Sequence, residues 1–303
     1  MKFRNAALFV VLAVAWGSAF TAIKAGLEYF PPVLFAAVRY DLAAIVMLLY
    51  ALYATSHWRP TSAREWVLVG VGALFPIAGY HSFLFIGQQG TTSAAAAIIV
   101  SLSPILTTGF ARVLIPDERL TILGLLGLLI GFVGVVILSN PDPDNLLDTR
   151  TVSMLLIFCA AVSFALGSVL IQRIRIEMPI ETLQAWSMLI GALLMHVVSL
   201  AIGESPGDIE WTGEAVIALG YLVIVASVLG FLIFFDLLNR LGSIQINLVS
   251  YAAPIAAAVT GVIFLGEIPL IHSGIGFGFI LIGFGLIKRE AIRQAVVRHR
   301  TAE

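Results

Sequence analysis

The chain holds a single cysteine, Cys159, among 303 residues. That excludes an internal disulfide and any metal framework built on thiolates. Charge is scarce as well: 12% of the residues are charged, against about a quarter in a soluble domain. The 17 basic and 18 acidic residues leave a net charge of −1, so no basic field points to nucleic acid. Lysine is confined to Lys2, Lys24 and Lys288. Signature patterns of common enzymes are missing too. There is no His-Glu-x-x-His and no pair of aspartates inside an apolar run, which argues against an intramembrane enzyme. A Gly-x-x-x-x-Gly-Lys loop is absent, which argues against direct use of ATP. No cofactor and no metal is expected. No sizeable polar domain is present either, as a scaffold or receptor would need.

What fills the chain is apolar. Hydrophobic residues make up 60% of it and mean hydropathy is +1.02. Such a chain cannot cover its own surface with polar groups, so its solvent is a lipid bilayer. Ten apolar runs fall near Ala6–Ala25, Pro32–Ala54, Trp66–Gly87, Thr92–Leu114, Thr121–Ser139, Val152–Gln172, Glu181–Ile202, Glu214–Asn239, Ser243–Leu265 and Leu270–Ile287. Each has roughly the 17–25 residues that carry a helix across a core of ~30 Å. Lys2 and Arg4 before the first run could mimic a signal peptide. That run is of full span length, centres on Trp16 and continues into Lys24 and Glu28, so it reads as a retained span.

The runs repeat. Ser93, Pro104, Glu118 and Gly124 return 150 residues later as Ser243, Pro254, Glu267 (one residue short) and Gly274. Ala15, Gly17 and Ser18 return as Ala165, Gly167 and Ser168. A sustained offset means a duplicated unit. The expected organisation is a repeat over 6–139, an extracytoplasmic linker over 140–150, a second repeat over 151–287 and a basic cytoplasmic tail over 288–303. Each repeat has five spans. An odd number makes the second enter the membrane from the opposite face. The fold class is therefore all-α: ten transmembrane helices as two inverted five-helix repeats. Inverted repeats are the architecture of secondary transporters. With the N-terminus inside, 14 of the 17 basic residues fall on the inner side, so both termini are expected in the cytoplasm.

The residues also carry a resemblance. Trp16-Gly17-Ser18, Lys24, Pro31-Pro32, Arg39, the stretch Thr91–Pro104, Glu118 and a glycine-rich fifth span come in that order. The second half repeats the order with Ala165–Ser168, Gln184, Tyr251–Pro254, Gly266-Glu267 and Gly283. Over residues 6–287 the chain resembles an EamA-type member of the drug/metabolite transporter superfamily. The resemblance implies a multi-pass carrier of the plasma or inner membrane. It would export a small organic solute, such as an amino acid or related metabolite, with protons as a candidate coupling ion, as a monomer or homodimer. It also implies a central cavity between spans 1–4 and 6–9, with spans 5 and 10 outside. Pro116-Asp117-Glu118 departs from the family's Gly-Glu, and Asp41 follows Arg39 closely.

The candidate cavity residues are Trp16, Ser18, Arg39, Tyr80, His81, Ser101, Ser168, Gln184, Asn247 and Tyr251. Arg39 either receives an anionic group or gates the mouth, or else snorkels or clamps helix ends. Asp41, two residues on, points across the helix and is no direct partner for it. His81 either relays protons or makes a helix–helix hydrogen bond. Trp16, mid-span, faces cavity or lipid. Gln184 faces the cavity or caps a helix end, Lys24 snorkels, and Gln88 and Gln89 are expected to be wet. Pro104 and Pro254 are candidate kinks, each freeing the carbonyl four residues back, on Val100 and Ser250. Pro76 has no such counterpart, because position 226 is alanine. Asp236 and Arg240 have the spacing of a helix-surface ion pair. Gly124, Gly127, Gly131 and Gly134 make a small packing face on span 5, and Gly274 and Gly278 begin another on span 10.

Overall fold

The computed structural model describes residues 2–115, 122–140, 147–241, 246, 248–268 and 270–300. Asn247, Ser243, Pro116-Asp117-Glu118 and positions 141–146 of the linker lie outside the described residues. All regular structure among the described residues is helical. Spans 1 to 5 are Lys2–Gly26, Pro32–Ala54, Ala63–Gln88, Ser93–Leu114 and Ile122–Ser139. Spans 6 to 10 are Thr149–Ile174, Ile180–Ala201, Gly213–Leu238, Val249–Leu265 and Ile271–Arg300. Eight of these are long and apolar enough to cross a membrane. Val249–Leu265 and the Ile271–Ile287 part of span 10 are shorter apolar helices. The fold is thus all-α, with five spans in each of two repeats.

The helix ends follow from local sequence. Spans 2 and 7 start directly after Pro31 and Pro179, whose fixed φ suits a helix entry. Ser62, Thr92, Asp148 and Thr212 cap spans 3, 4, 6 and 8. Each side-chain oxygen accepts from the backbone N–H three residues on. The bond from Thr151 also holds the Asp148 carboxyl below the usual carboxylate range. Gly266 closes span 9 at φ +63°, a left-handed position that suits glycine. Two caps come from far away in sequence. Glu204 accepts from the Val33 and Leu34 amides at the head of span 2. Glu267 accepts from the Ser93 amide and hydroxyl at the head of span 4.

Spans 2 and 7 run antiparallel, and so do spans 5 and 10, as inverted repeats require. Spans 2 and 7 lie side by side, with Glu204 beside Val33 at one end and the Thr182 hydroxyl donating to the His57 carbonyl at the other. Spans 5 and 10 cross where glycines meet: Gly127 lies against the Gly283 backbone and Gly134 against Gly276. The small face on span 5 is therefore a packing face, as expected. On span 10 the face is Gly276 and Gly283, not Gly274 and Gly278, which meet nothing. Span 10 turns a different side inward than its first two glycines suggest.

Below, "distal" marks the end of each span away from the N-terminus of the chain. Gln88, at the distal end of span 3, is fully buried, and its amide donates to the Phe20 carbonyl. Only Gln89 is exposed. Lys24 donates to the Gln88 and Gln89 carbonyls at 3.2 and 2.8 Å, so it caps span 3. The Asp236–Arg240 pair forms at 2.8 Å.

The proline positions differ between repeats. Span 4 is interrupted at Ser101 and Leu102, and Pro104 stands at the start of its second segment, Ser103–Leu114. The Val100 carbonyl accepts from the Ser103 hydroxyl at 2.7 Å. Pro254 lies inside Val249–Leu265, and Ala253, at the place of Ser103, has no hydroxyl to offer. Spans 3 and 8 share a feature that the sequence did not announce. Each contains a π-helical stretch, Ala73–Gly79 around Pro76 and Tyr221–Leu229. The two coincide under the 150-residue offset, although only the first has a proline.

Candidate functional site

Two side chains 188 residues apart in sequence meet inside the bundle. Arg39 is only 5% exposed, and its Nε and one terminal nitrogen donate to the Ser227 hydroxyl at 3.2 and 3.1 Å. Its guanidinium also lies 5.1 Å from the centre of the Tyr40 ring. Among the described residues no carboxylate pairs with it. The Tyr40 hydroxyl and His81 Nε2 are 2.8 Å apart, while His81 Nδ1 donates to the Ile77 carbonyl at 2.9 Å. An Nδ1–H directed at a carbonyl leaves Nε2 to accept from the tyrosine. His81 thus bridges spans 2 and 3. Tyr80 packs edge-on against it, 4.5 Å between ring centres.

The π-helical stretch of span 8 gathers three candidate residues. A π turn shifts the backbone ladder and presents carbonyls sideways. The Trp16 indole donates to the Ala226 carbonyl at 3.1 Å. Ser18 and the Tyr221 hydroxyl share a hydrogen bond of 2.5 Å. Arg39 holds Ser227, the next residue after Ala226. Trp16 also packs on Phe231 and Phe234, so its ring faces protein. In span 3 the matching stretch is held by Ser163, whose hydroxyl donates to the Phe75 carbonyl at 2.9 Å.

The remaining candidates lie apart from this cluster. The buried Ser101 hydroxyl donates to the Ile98 carbonyl, and Ser168 donates to the Phe164 carbonyl on its own helix. Gln184 is half-buried near the start of span 7. Tyr251 packs at a tilt on Phe284 with ring centres 4.3 Å apart, and its buried hydroxyl has no partner among the described residues. A groove of about 290 Å³, lined by Thr92, Ile98, Pro254, Val259, Glu267 and Phe277, touches none of the Arg39 cluster. Sequence reading missed Tyr40, Tyr221 and Ser227. For Tyr221 and Ser227 the signal was present: isolated hydroxyls inside a long apolar run, where each needs a partner.

The chain is an all-helical bundle of two five-span repeats, with eight helices long and apolar enough to cross a membrane and a buried cation among them. The family model described as the EamA-like transporter family matches residues 4–140 and 151–289, and the chain belongs to that family. An uncharacterized transporter of Archaeoglobus fulgidus is 26% identical over 287 residues, 93% of this chain and 99% of the relative. The uncharacterized transporter YvbV of Bacillus subtilis is 27% identical over 266 residues, covering 88% of this chain and 85% of the relative. The uncharacterized inner membrane transporter YedA of Escherichia coli K12 is 27% identical over 273 residues, covering 88% and 86%. A solved crystal structure aligns with TM-score 0.64 over 96% of this chain and 99% of that one, at 22% identity. It shares the fold. The chain is a multi-pass membrane protein of a transporter family.

Proposed function

We propose that this protein is a secondary transporter that exports a small organic solute bearing an anionic group, such as an amino acid or related metabolite. The observation that carries the reading is Arg39. A guanidinium inside a membrane is costly and is retained where it meets water, protein or a ligand. Two of its nitrogens engage one neutral hydroxyl, so most of its five N–H donors remain free for a carboxylate. Trp16, Ser18, Tyr80 and His81 stand around the same core and are assigned to the solute site. Ser101, Ser168, Gln184, Asn247 and Tyr251 are assigned to the path on either side of it. Pro104 and Pro254 are assigned as bending points for alternating access between the repeats 6–139 and 151–287. Export is the direction that the family resemblance suggests, and protons are the proposed coupling ion. The basic-residue distribution supports cytoplasmic termini in the plasma or inner membrane, with linker 140–150 outside.

The test pairs a metabolite-release screen in a deletion strain with uptake by purified protein in liposomes, using an amino-acid mixture as the first probe. Arg39→Ala is expected to lower transport about 10- to 100-fold, the loss of one to two charge-assisted bonds. Arg39→Lys should recover little, because a point charge does not reproduce a planar fork. Undiminished transport by a folded Arg39→Ala protein would refute the anion-receiving role.

A further inference from the structure

On the opposite side of span 2 from Arg39, a second polar pair lies within the membrane. Asp41 Oδ2 and His196 Nε2, from spans 2 and 7, are 2.7 Å apart. The antiparallel register fixes their depth. Glu204 sits beside Val33 at the distal end, and Asp41 and His196 are each eight residues further in, 33 to 41 and 204 to 196. At 1.5 Å per residue that is about 12 Å along the helices, well inside a hydrocarbon core of ~30 Å. The flanking side chains Leu42, Ile45, Leu193 and Val197 are apolar and exposed, so the pair borders lipid.

We propose that Asp41 and His196 form the proton-binding site through which a proton gradient acts on this carrier. The charge balance requires a proton there. With a neutral imidazole the pair carries a lone carboxylate in hydrocarbon, which is expensive. With one proton bound, on the imidazole or on the carboxyl, the pair is neutral overall. The proton comes from water on one face and leaves to water on the other, and no covalent bond other than N–H or O–H changes. Loaded and unloaded states therefore differ by one full charge at the contact of spans 2 and 7, the two spans that occupy the same place in the inverted repeats. The coupling to solute is equally direct. Arg39 and Asp41 are two residues apart on one helix and face different neighbours, span 8 and span 7. Movement of span 2 against span 7 is carried to Arg39 by a single rigid turn. This proposal deepens the transporter reading and rests on it.

Other titratable groups on the packed elements are engaged elsewhere or lie at helix ends. Span 2 packs against spans 7, 3 and 8, and span 7 also against span 3. Tyr40 and His81 bond each other, Tyr80 lies on His81, Tyr221 bonds Ser18, and Arg39 bonds Ser227. Glu65 is held by Thr61 and His57 at the proximal end, where Arg64, Tyr50, Tyr53 and Glu181 also lie. None of these bonds to Asp41 or His196.

The experiment reads conformation, so it needs no solute. In a Cys159→Ala background, Ser168→Cys is labelled with an impermeant maleimide from each side of proteoliposomes across about pH 5 to 8, the range of histidine titration. The ratio of labelling from the two sides should change about tenfold, a population shift of 1.4 kcal/mol. Asp41→Asn and His196→Gln should each flatten that response. A pH-independent ratio in the parent protein, or a full response in either single variant, overturns the proposal and makes the pair a plain helix clamp. If a single variant fails to fold, Asp41→His combined with His196→Asp restores both groups and must respond to pH; a folded, unresponsive swap also overturns the proposal. Failure of transport in Arg39→Ala tests only the anion reading, so the two readings can fail independently.

Discussion

Spans 3 and 8 contain the same wide helical stretch at the same place in their repeats, Ala73–Gly79 and Tyr221–Leu229, but for different reasons. In span 3 the cause is local. Pro76 has no N–H, so the ladder must shift around it, and the Ser163 hydroxyl takes the Phe75 carbonyl. In span 8 Ala226 stands where the proline would be, and nothing nearby in sequence forbids an ordinary α-helix. There the stretch is held from outside, by the Trp16 indole on the Ala226 carbonyl and by Arg39 on Ser227. A backbone feature that one repeat writes into a single residue is written in the other into contacts between distant spans. The side held by distant contacts is also the side where the candidate solute residues converge.

The largest effects should come from wedging the spans that grip these stretches. Gly167 lies against Phe75 and Pro76 of span 3, and its counterpart Gly17 lies against the Ala253 carbonyl of span 9. A side chain at either place overpacks the contact. Gly17→Val, which meets backbone, should cost about 3 kcal/mol, and Gly167→Val about 1–2 kcal/mol. Equilibrium unfolding in mixed micelles measures both, and equal losses would mean that span 1 and span 6 are gripped alike. Next come the hydrogen bonds. Trp16→Phe leaves the Ala226 carbonyl unpaired and should destabilise by about 1–2 kcal/mol, against about 0.5–1 kcal/mol for Ser163→Ala. The same unfolding assay applies, with amide exchange over Tyr221–Leu229 rising in Trp16→Phe alone. The smallest effect should be Pro76→Ala, within about 1 kcal/mol of the parent, since the new N–H offsets the lost rigidity. Amide exchange should then slow over Ala73–Gly79 and stay unchanged over Tyr221–Leu229. Simultaneous change in both stretches would show that the two repeats share one mechanical unit.

Much of this molecule could be read from its composition and its periods. The scarcity of charge selected lipid as solvent, apolar runs of span length set ten helices, and the 150-residue offset divided them into two repeats of five. Span 2 occupies Pro32–Ala54 as expected, because a proline opens it and a polar loop follows it. The Asp236–Arg240 pair and the Gly127–Gly134 packing face were legible too, since residues three, four and seven apart share a helix face whatever surrounds it.

Only the tertiary structure decided who meets whom. Helical period says which residues share a face, but not which neighbour that face meets or at what register. Arg39 finds Ser227, 188 residues away, and Asp41 finds His196, 155 residues away. Gln88 is buried rather than wet because span 1 offers it the Phe20 carbonyl. Span 10 packs through Gly276 and Gly283 because its rotation is set by span 5, not by its own first glycines. The π stretch of span 8 exists without a local signal because its stabilising partners lie on spans 1 and 2. In hydrocarbon a displaced carbonyl or a lone guanidinium has no water to turn to, so the docking of whole helices settles its partner.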